Sequence, residues 1–583
     1  MTQSHCRRLA PYLRRCRGAY VQGMILVALA SGCGVTTPLL IRAAIDRLER
    51  QATRDFVLLV ALAIVLFALV RGILIFSSRM LILGAARRIE RDLREDLYAH
   101  LETLPARFYD THPTGDLTSR AINDIEGVRM MIGIGLMWLA STGLVLAGSL
   151  AAMFFLKPSL AALCLIPLAL ITVMLVFAGA RIQSLTLAVQ DQLGVLSSRA
   201  QENFSGARVV RAFAREESET ARFASAGKEY LARNLRLARV RALAWARILL
   251  LAETAIALTL VAGGRMMMDG TFSKGDFAAF AAYELLLVWP VIAIGWVIIL
   301  FQRGAACARR LGEIFDSRPE IDDASARPLD GAIEGRIEAR GLTFSYAPDR
   351  PPALSDLRLA IEPGQHVAIV GRTGSGKSTL AQLLLRLYRA PDGMLFVDGR
   401  DINTIPVADL RRAIGAVPQD PFLFSDRLRE NVAFGGPDGA ADAQVARAAE
   451  IARLSPDVDL FPDRYDQMIG ERGVALSGGQ KQRTALARAL VREPRILILD
   501  DALSSVDSDT ERDIRERLRD FTRGRTTILI THRLSSAADA DRILVLDGGR
   551  LAEEGRHAEL LARGGLYAGL WESQRLAEEL SQA

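Results

Sequence analysis

The run Gly371-Arg372-Thr373-Gly374-Ser375-Gly376-Lys377-Ser378-Thr379 follows the apolar stretch His366 to Val370 and leads into a helix-forming segment. It fits the phosphate-loop pattern in the strand-then-helix context that the pattern requires. The glycines let backbone N–H groups converge on phosphate oxygens without Cβ clashes, and the helix N-terminus adds partial positive charge. Gly371, Thr373, Gly374, Ser375, Gly376 and Thr379 are therefore candidates for cradling ATP. Lys377 is placed to reach the β and γ phosphates and Ser378 to ligate Mg²⁺. An ordinary glycine turn is the competing reading, and chance matches are rare at average glycine usage.

Working outward, Ile496-Leu497-Ile498-Leu499-Asp500 reads as a buried strand ending in a carboxylate, which suits Asp500 to hold Mg²⁺ through the metal's water shell. Alone this signal is weak, because many core strands end in Asp, and several nucleotide hydrolases share it. From Ile337 to the C-terminus, short β-rich runs such as Thr527 to Ile530 alternate with helical stretches. That alternation predicts an α/β domain with a largely parallel sheet.

The N-terminal side has another character. A chain of 583 residues holds several domain equivalents, and 50% hydrophobic content beside 24% charged residues suggests a lipid-embedded region joined to a soluble one. The mean hydropathy of +0.20 agrees, and a disordered or fibrous chain is excluded. Six apolar runs are candidate membrane helices: Gly18 to Ile41, Phe56 to Ser78, Met130 to Leu156, Pro158 to Ala180, Ile248 to Gly264 and Phe277 to Gln302. Buried core helices seldom carry apolar runs this long. Arg7, Arg8, Arg14, Arg15 and Arg17 precede the first run, so the positive-inside rule sets both termini in the cytoplasm. The first run is longer than the apolar part of a signal peptide and is expected to be retained.

Outer connections around Lys157 to Ser159 and Arg265 to Asp276 are short, whereas the inner stretches Arg79 to Arg129 and Arg181 to Arg247 are long and helix-forming. The membrane helices should continue into the cytosol and touch something there. Residues 1–315 are expected to form the membrane domain, 316–335 a polar linker and 336–583 the nucleotide domain. The net charge of +6 demands no nucleic-acid partner, since cytoplasmic membrane flanks account for it. The five cysteines form no CxxC pair, so neither a zinc site nor a disulfide scaffold is indicated.

Leu476-Ser477-Gly478-Gly479-Gln480, directly before the helical Lys481 to Leu490, resembles the signature sequence of ATP-binding cassette (ABC) proteins. The resemblance covers essentially the whole chain. Tyr346 sits where the family's A-loop aromatic stacks on adenine, and Gln419 matches the Q-loop that senses Mg²⁺ and the membrane domain. Gly470-Glu471-Arg472-Gly473 is similar to the exporter X-loop, Asp507 to the D-loop and His532 to the switch histidine that contacts the γ phosphate. The resemblance implies that two such domains pair head to tail, with ATP sandwiched between one chain's phosphate loop and the signature turn of the other. The Ser477 to Gln480 turn fits this physically, because it offers donors at a helix N-terminus to an anion that its own chain does not supply.

One residue departs from the family pattern. A Glu normally follows the Walker B Asp and orients the attacking water, but here Asp501 does, one methylene shorter. A catalytic base has to lie within about 2.6–3.2 Å of its proton, so hydrolysis at this chain's own site is expected to be slow. The signature turn and Asp507 look intact and would complete an active site on a partner that supplies Glu. This resembles the degenerate subunits of heterodimeric bacterial exporters; the alternative is a homodimer in which Asp501 is a slower but adequate base.

Phe108-Tyr109-Asp110 and Pro113 to Leu117 look like the first coupling helix of exporters, and Glu202 to Phe213 is similar to the second, which in this family docks on the opposite subunit. Arg71, Glu253 and Glu284 fall in or beside apolar runs, where a charge has to face protein or water. They are read either as substrate-cavity residues or as interhelical partners. The expected fold class is thus a six-span α-helical membrane domain followed by an α/β ABC nucleotide-binding domain. The expected function is ATP-driven efflux of a small hydrophobic or amphipathic substrate across the cytoplasmic membrane by a dimer of half-transporters, with a lipid flippase as the alternative. An importer, a soluble ABC ATPase and a gated channel are disfavoured.

Overall fold

The computed structural model describes residues 8–51, 53–437, 440–470, 473 and 476–582. By their contacts they divide into two compact units, one of residues 1–102 and 114–317, the other of residues 103–113 and 318–583.

Among the described residues the first unit holds six helices long and apolar enough to cross a membrane: Arg17–Glu49, Asp55–Thr103, Thr114–Leu156, Pro158–Ser205, Glu216–Met268 and Lys274–Asp316. The second to the sixth all run far past the length of a bilayer crossing, as the helix-forming inner stretches predict. Leu59, Leu62, Leu66, Leu69, Ile73 and Phe76 on the second span are exposed, and its most apolar window buries nothing. A water-soluble protein would hide such a stripe, so it belongs against lipid. The sixth span is the most buried; Gly304 lets Met131 approach so closely that a Cβ would stand 2.4 Å from the Met131 Cβ. Its start is fixed by a reciprocal Ser273–Asp276 capping box. Short π-helical turns at Met131–Gly135 and Thr259–Gly263 interrupt the third and fifth spans.

The second unit is built on two sheets. β1 (Ile337–Phe344), β2 (Leu354–Ile361), β4 (Leu395–Val397) and β5 (Arg400–Asp401) form an antiparallel sheet in the order β2-β1-β4-β5. β3 (His366–Gly371), β6 (Ile414–Val417), β7 (Ile496–Asp500), β8 (Thr526–Ile530), β9 (Arg542–Asp547) and β10 (Arg550–Gly555) form a six-stranded sheet in the order β10-β9-β3-β8-β7-β6. β3, β6, β7, β8 and β9 run parallel, and β7 and β8 are buried at every position, as a sheet covered on both faces requires. One core packs the helix Lys377–Leu384 between the two sheets, and a second packs the helix Gly478–Leu490 on the far part of the unit. The short helix Ala106–Thr111 also belongs to this unit: Arg107 donates to the Tyr346 carbonyl at 2.6 Å and Tyr388 donates to Asp110 at 2.6 Å.

Candidate nucleotide site

Parallel strands deliver their C-terminal ends to one edge of a sheet, and strand register decides what meets there. Ile369 of β3 pairs with Ile530 of β8, and Ile530 pairs with Asp500 of β7. Val417 of β6 pairs with Leu499 of β7. The residues that follow these partners therefore emerge side by side: the glycine-rich loop after β3, Thr531 and His532 after β8, Asp500 and Asp501 at the end of β7, and Gln419 after β6. With neighbouring strands about 4.8 Å apart, Asp500 lies about 10 Å across the sheet from the loop strand, a span that a triphosphate and a hydrated cation would fill.

The loop's conformation explains its glycines at two positions. Gly371 (φ +149°) lies so near β9 that a Cβ would stand 2.2 Å from the Leu546 carbonyl oxygen, and Gly376 (φ +95°) caps α1 (Lys377–Leu384) where a Cβ would stand 2.6 Å from the Ala353 oxygen. Ser375, Lys377 and Thr379 are buried, whereas Thr373 and Gly374 are exposed at the loop tip and Ser378 is half-buried. Lys377 folds back and donates from Nζ to the Gly371 and Arg372 carbonyls, at 2.9 Å each. Burial pulls its ammonium below the ordinary lysine value, so a phosphate at the loop would supply the charge that two carbonyls supply only in part.

Asp500 is 9% exposed. Burial pushes its carboxyl above the usual carboxylate range, a shift that a hydrogen bond with Ser378 opposes, Asp501 adds to and Lys377 opposes. A buried carboxylate and a hydroxyl side by side make a hard-oxygen donor set suited to a divalent cation. Asp501 holds a left-handed backbone (φ +48°), fixed by its N–H donating to the Ile530 carbonyl at 2.8 Å. His532 and Gln419 are exposed.

Tyr346 stands beside α1, its hydroxyl donating to Gln382 Oε1 at 2.7 Å and accepting from the Thr379 hydroxyl at 3.0 Å, its ring edge-on to Tyr388 at 5.0 Å. The sequence pattern singles out Tyr346; it does not reveal that Tyr388, Asp110 and Arg107 hold the same corner.

Ser477 caps α2 (Gly478–Leu490) in a capping box: Ser477 Oγ accepts from the Gln480 N–H, and Gln480 Oε1 accepts from the Ser477 N–H at 2.9 Å. One of the donors expected to be free for an anion is thus already engaged, while the Gly478 and Gly479 N–H groups still open the helix. The two glycines admit Ser505 at close range; a Cβ on Gly479 would stand 3.0 Å from its carbonyl oxygen. Buried Gln482 completes this junction by donating to Ser504 Oγ and accepting from the Ser505 N–H, both at 2.8 Å. Sequence reading passes over Gln482, whose only signal is a polar residue on the buried face of α2. Asp507 caps α3 (Ser508–Phe521), accepting from the Thr510 N–H at 2.9 Å, and that bond holds its carboxyl below the usual range. Of the X-loop, Gly470 and Gly473 are placed; Glu471 and Arg472 lie outside the described residues.

Residues 21–291 match the family described as ABC transporter transmembrane region, and residues 354–504 the family described as ABC transporter. The chain is 35% identical to "Probable multidrug resistance ABC transporter ATP-binding/permease protein YheI" of Bacillus subtilis, covering 96% of each chain. It is 34% identical to an "ATP-dependent lipid A-core flippase" of Nitrosococcus oceani, covering 97% of this chain and 95% of that one. Among solved structures, a bacterial Atm1-family ABC exporter with ATP bound superposes with a TM-score of 0.80 at 31% identity, over 96% of this chain and 98% of the other. Six membrane-crossing helices, a phosphate loop and a signature turn in one polypeptide, matched along its length by such relatives, place this chain in the ABC transporter family, whose nucleotide domains bind ATP and whose exporters work as dimers in the membrane.

Proposed function

We propose that this chain is one half of an ATP-driven exporter of the cytoplasmic membrane, that its own nucleotide site turns over slowly, and that its signature turn completes a faster site on a partner subunit. Tyr346 would stack on adenine, and Gly371 to Thr379 would cradle the phosphates with Lys377 at the β and γ groups. Ser378, Asp500 and Gln419 would hold Mg²⁺, which supplies charge neutralisation at the transferring phosphoryl group. His532 would meet the γ phosphate. Ser477, Gly478, Gly479, Gln480 and Asp507 would face the nucleotide of the neighbouring subunit.

The observation that carries the reading is Asp501. Its backbone is anchored to Ile530, so the missing methylene cannot be recovered by sliding the strand, and the carboxylate falls short of where Glu would reach. A second observation supports a dimer: on the inner stretch around the helix Ala207–Ala212, Phe204 and Phe213 are 81% and 74% exposed. Apolar knobs of this kind at the tip of a long helical pair mark a docking surface, and the family resemblance gives it the opposite subunit's nucleotide domain. Asp501 and the intact signature turn favour a heterodimer; the resemblance to the lipid A-core flippase supports a homodimeric flippase as the second reading.

The test is the ATPase activity of the purified chain in lipid, alone and together with a half-transporter that carries Glu after its Walker B Asp. The proposal expects slow turnover alone and a large gain with the partner. Brisk turnover by the chain alone would defeat the asymmetric reading.

A further inference from the structure

Glu284 stands on the sixth span, and Lys274 to Glu284 is about 15 Å of helix, the half-depth of a hydrocarbon core about 30 Å thick. The side chain is 6% exposed. Thr259, in the π-helical turn of the fifth span, donates to its Oε1 at 2.6 Å, and Cys164 of the fourth span lies 3.2 Å from the same threonine hydroxyl. Oε2 is buried and makes no hydrogen bond among the described residues. The carboxyl borders a cavity of about 40 Å³ whose walls come from the third, fourth, fifth and sixth spans and include Met153, Leu168, Ile171, Ile256 and Leu287.

Among the described residues no Lys, Arg or His lines the cavity, and Cys164 is the only other titratable group that does; Glu253 of the fifth span is exposed and lies outside it. A carboxylate at this depth is costly unless a positive charge or a proton meets it. A metal cation is a poor fit, because it needs several oxygen ligands and the walls supply almost none. A neutral amphiphile would leave Oε2 unmatched. The space suffices for a head group of about two or three heavy atoms, and the apolar walls suit an alkyl chain.

We propose that this pocket binds the head group of a protonated aliphatic amine, whose N–H donates to the Glu284 carboxylate while the methylenes next to the nitrogen lie against Met153, Leu168 and Leu287. An amine arriving through lipid as the free base takes its proton from the neutral carboxyl. An O–H bond breaks, an N–H bond forms, and the resulting ion pair carries no net charge into the membrane. The π-helical turn at Thr259 aims the hydroxyl that holds Oε1; such turns recur at functional sites. The site deepens the export reading by naming a substrate class, and it rests on that reading only for the fate of the amine.

The experiment uses the wild-type full chain in lipid nanodiscs, so no variant has to fold. Dicyclohexylcarbodiimide, which modifies protonated carboxyls in apolar surroundings, is applied with N,N-dimethyldecylamine, a tertiary amine that cannot form an amide with the activated carboxyl, with decanol or with neither, and the adduct on the Glu284 peptide is measured by mass spectrometry. The proposal expects an adduct that dimethyldecylamine at about ten times its Kd suppresses about tenfold and that decanol changes less than about twofold. Absence of the adduct, an adduct that the amine leaves intact, or equal protection by decanol would overturn the site. ATP-driven uptake of dimethyldecylamine into inverted vesicles separates the two readings. Protection without uptake keeps the pocket and removes the amine as cargo, whereas uptake of other compounds without protection keeps the exporter and removes the pocket.

Discussion

Asp501→Glu is the substitution that bears most directly on the slow site. The longer side chain carries its carboxylate about 1.3 Å further from a backbone that the bond to Ile530 holds in place, which is the difference between a base within and beyond the 2.6–3.2 Å reach that proton transfer needs. A misplacement of about 1 Å costs about 10²-fold, equivalent to about 2.7 kcal/mol of barrier. Against this gain stands the left-handed backbone at φ +48°, which Asp tolerates better than Glu; the added strain should stay below about 1 kcal/mol. The variant should therefore hydrolyse ATP about 100-fold faster at this site while melting within a few degrees of the wild type. The assay is steady-state phosphate release from the purified chain in nanodiscs, alone or with its partner's own base neutralised, beside a thermal melt. An unchanged rate in a variant of unchanged stability would refute the argument that side-chain length limits the site.

Other perturbations follow from the same geometry. Burial holds the Asp500 carboxyl above its ordinary value, so between the unfolded and folded pKa the native state keeps a proton that the unfolded chain has lost; nucleotide-free protein should lose stability as pH rises through that window, and Asp500→Asn should remove the slope in melts taken across acidic pH. Gly376→Ala forces a Cβ to within 2.6 Å of the Ala353 oxygen at φ +95° and should cost about 1–3 kcal/mol and abolish ATP-dependent stabilisation, read as the Tm shift on adding MgATP. Gln482→Ala unties Ser504 and Ser505 from the signature helix and should cost about 1–3 kcal/mol, while slowing hydrolysis at the partner's site more than at this chain's own, which site-specific nucleotide trapping separates.

Much of the nucleotide unit is legible in the sequence because its chemistry is local. The glycine-rich loop lies within nine consecutive residues, and a strand that ends in Asp500 announces itself by an unbroken apolar run. Parallel pairing of β3, β8 and β7 then brings Gly371, His532 and Asp500 together without any further information in the chain. The six membrane spans are equally plain, since length and apolarity suffice. What the sequence hides is contact across long separations. Arg107 and Asp110 reach the Tyr346 corner from more than 200 positions away, and the coupling-helix resemblance of Phe108 to Asp110 does not name Tyr346 or Tyr388 as their partners. The need for glycine at position 376 arises from Ala353, on another element. Glu284 could be read as an intramembrane charge, but whether it faced a partner, water or lipid depended on Thr259 and Cys164, two other helices' residues. The π-helical turn that sets Thr259 has no residue pattern of its own.

The central claim is that ATP is enclosed by two chains, this one's phosphate loop and a neighbour's signature turn. Every cysteine lies at or before Cys307, so cysteines placed in the nucleotide unit report without background. Thr373→Cys on one chain and a cysteine at the signature serine of its neighbour, Ser477→Cys where the neighbour is a second copy, should form a disulfide between chains whose yield rises sharply with MgATP. A disulfide formed only within single chains, or one between chains that ATP does not promote, would contradict the account.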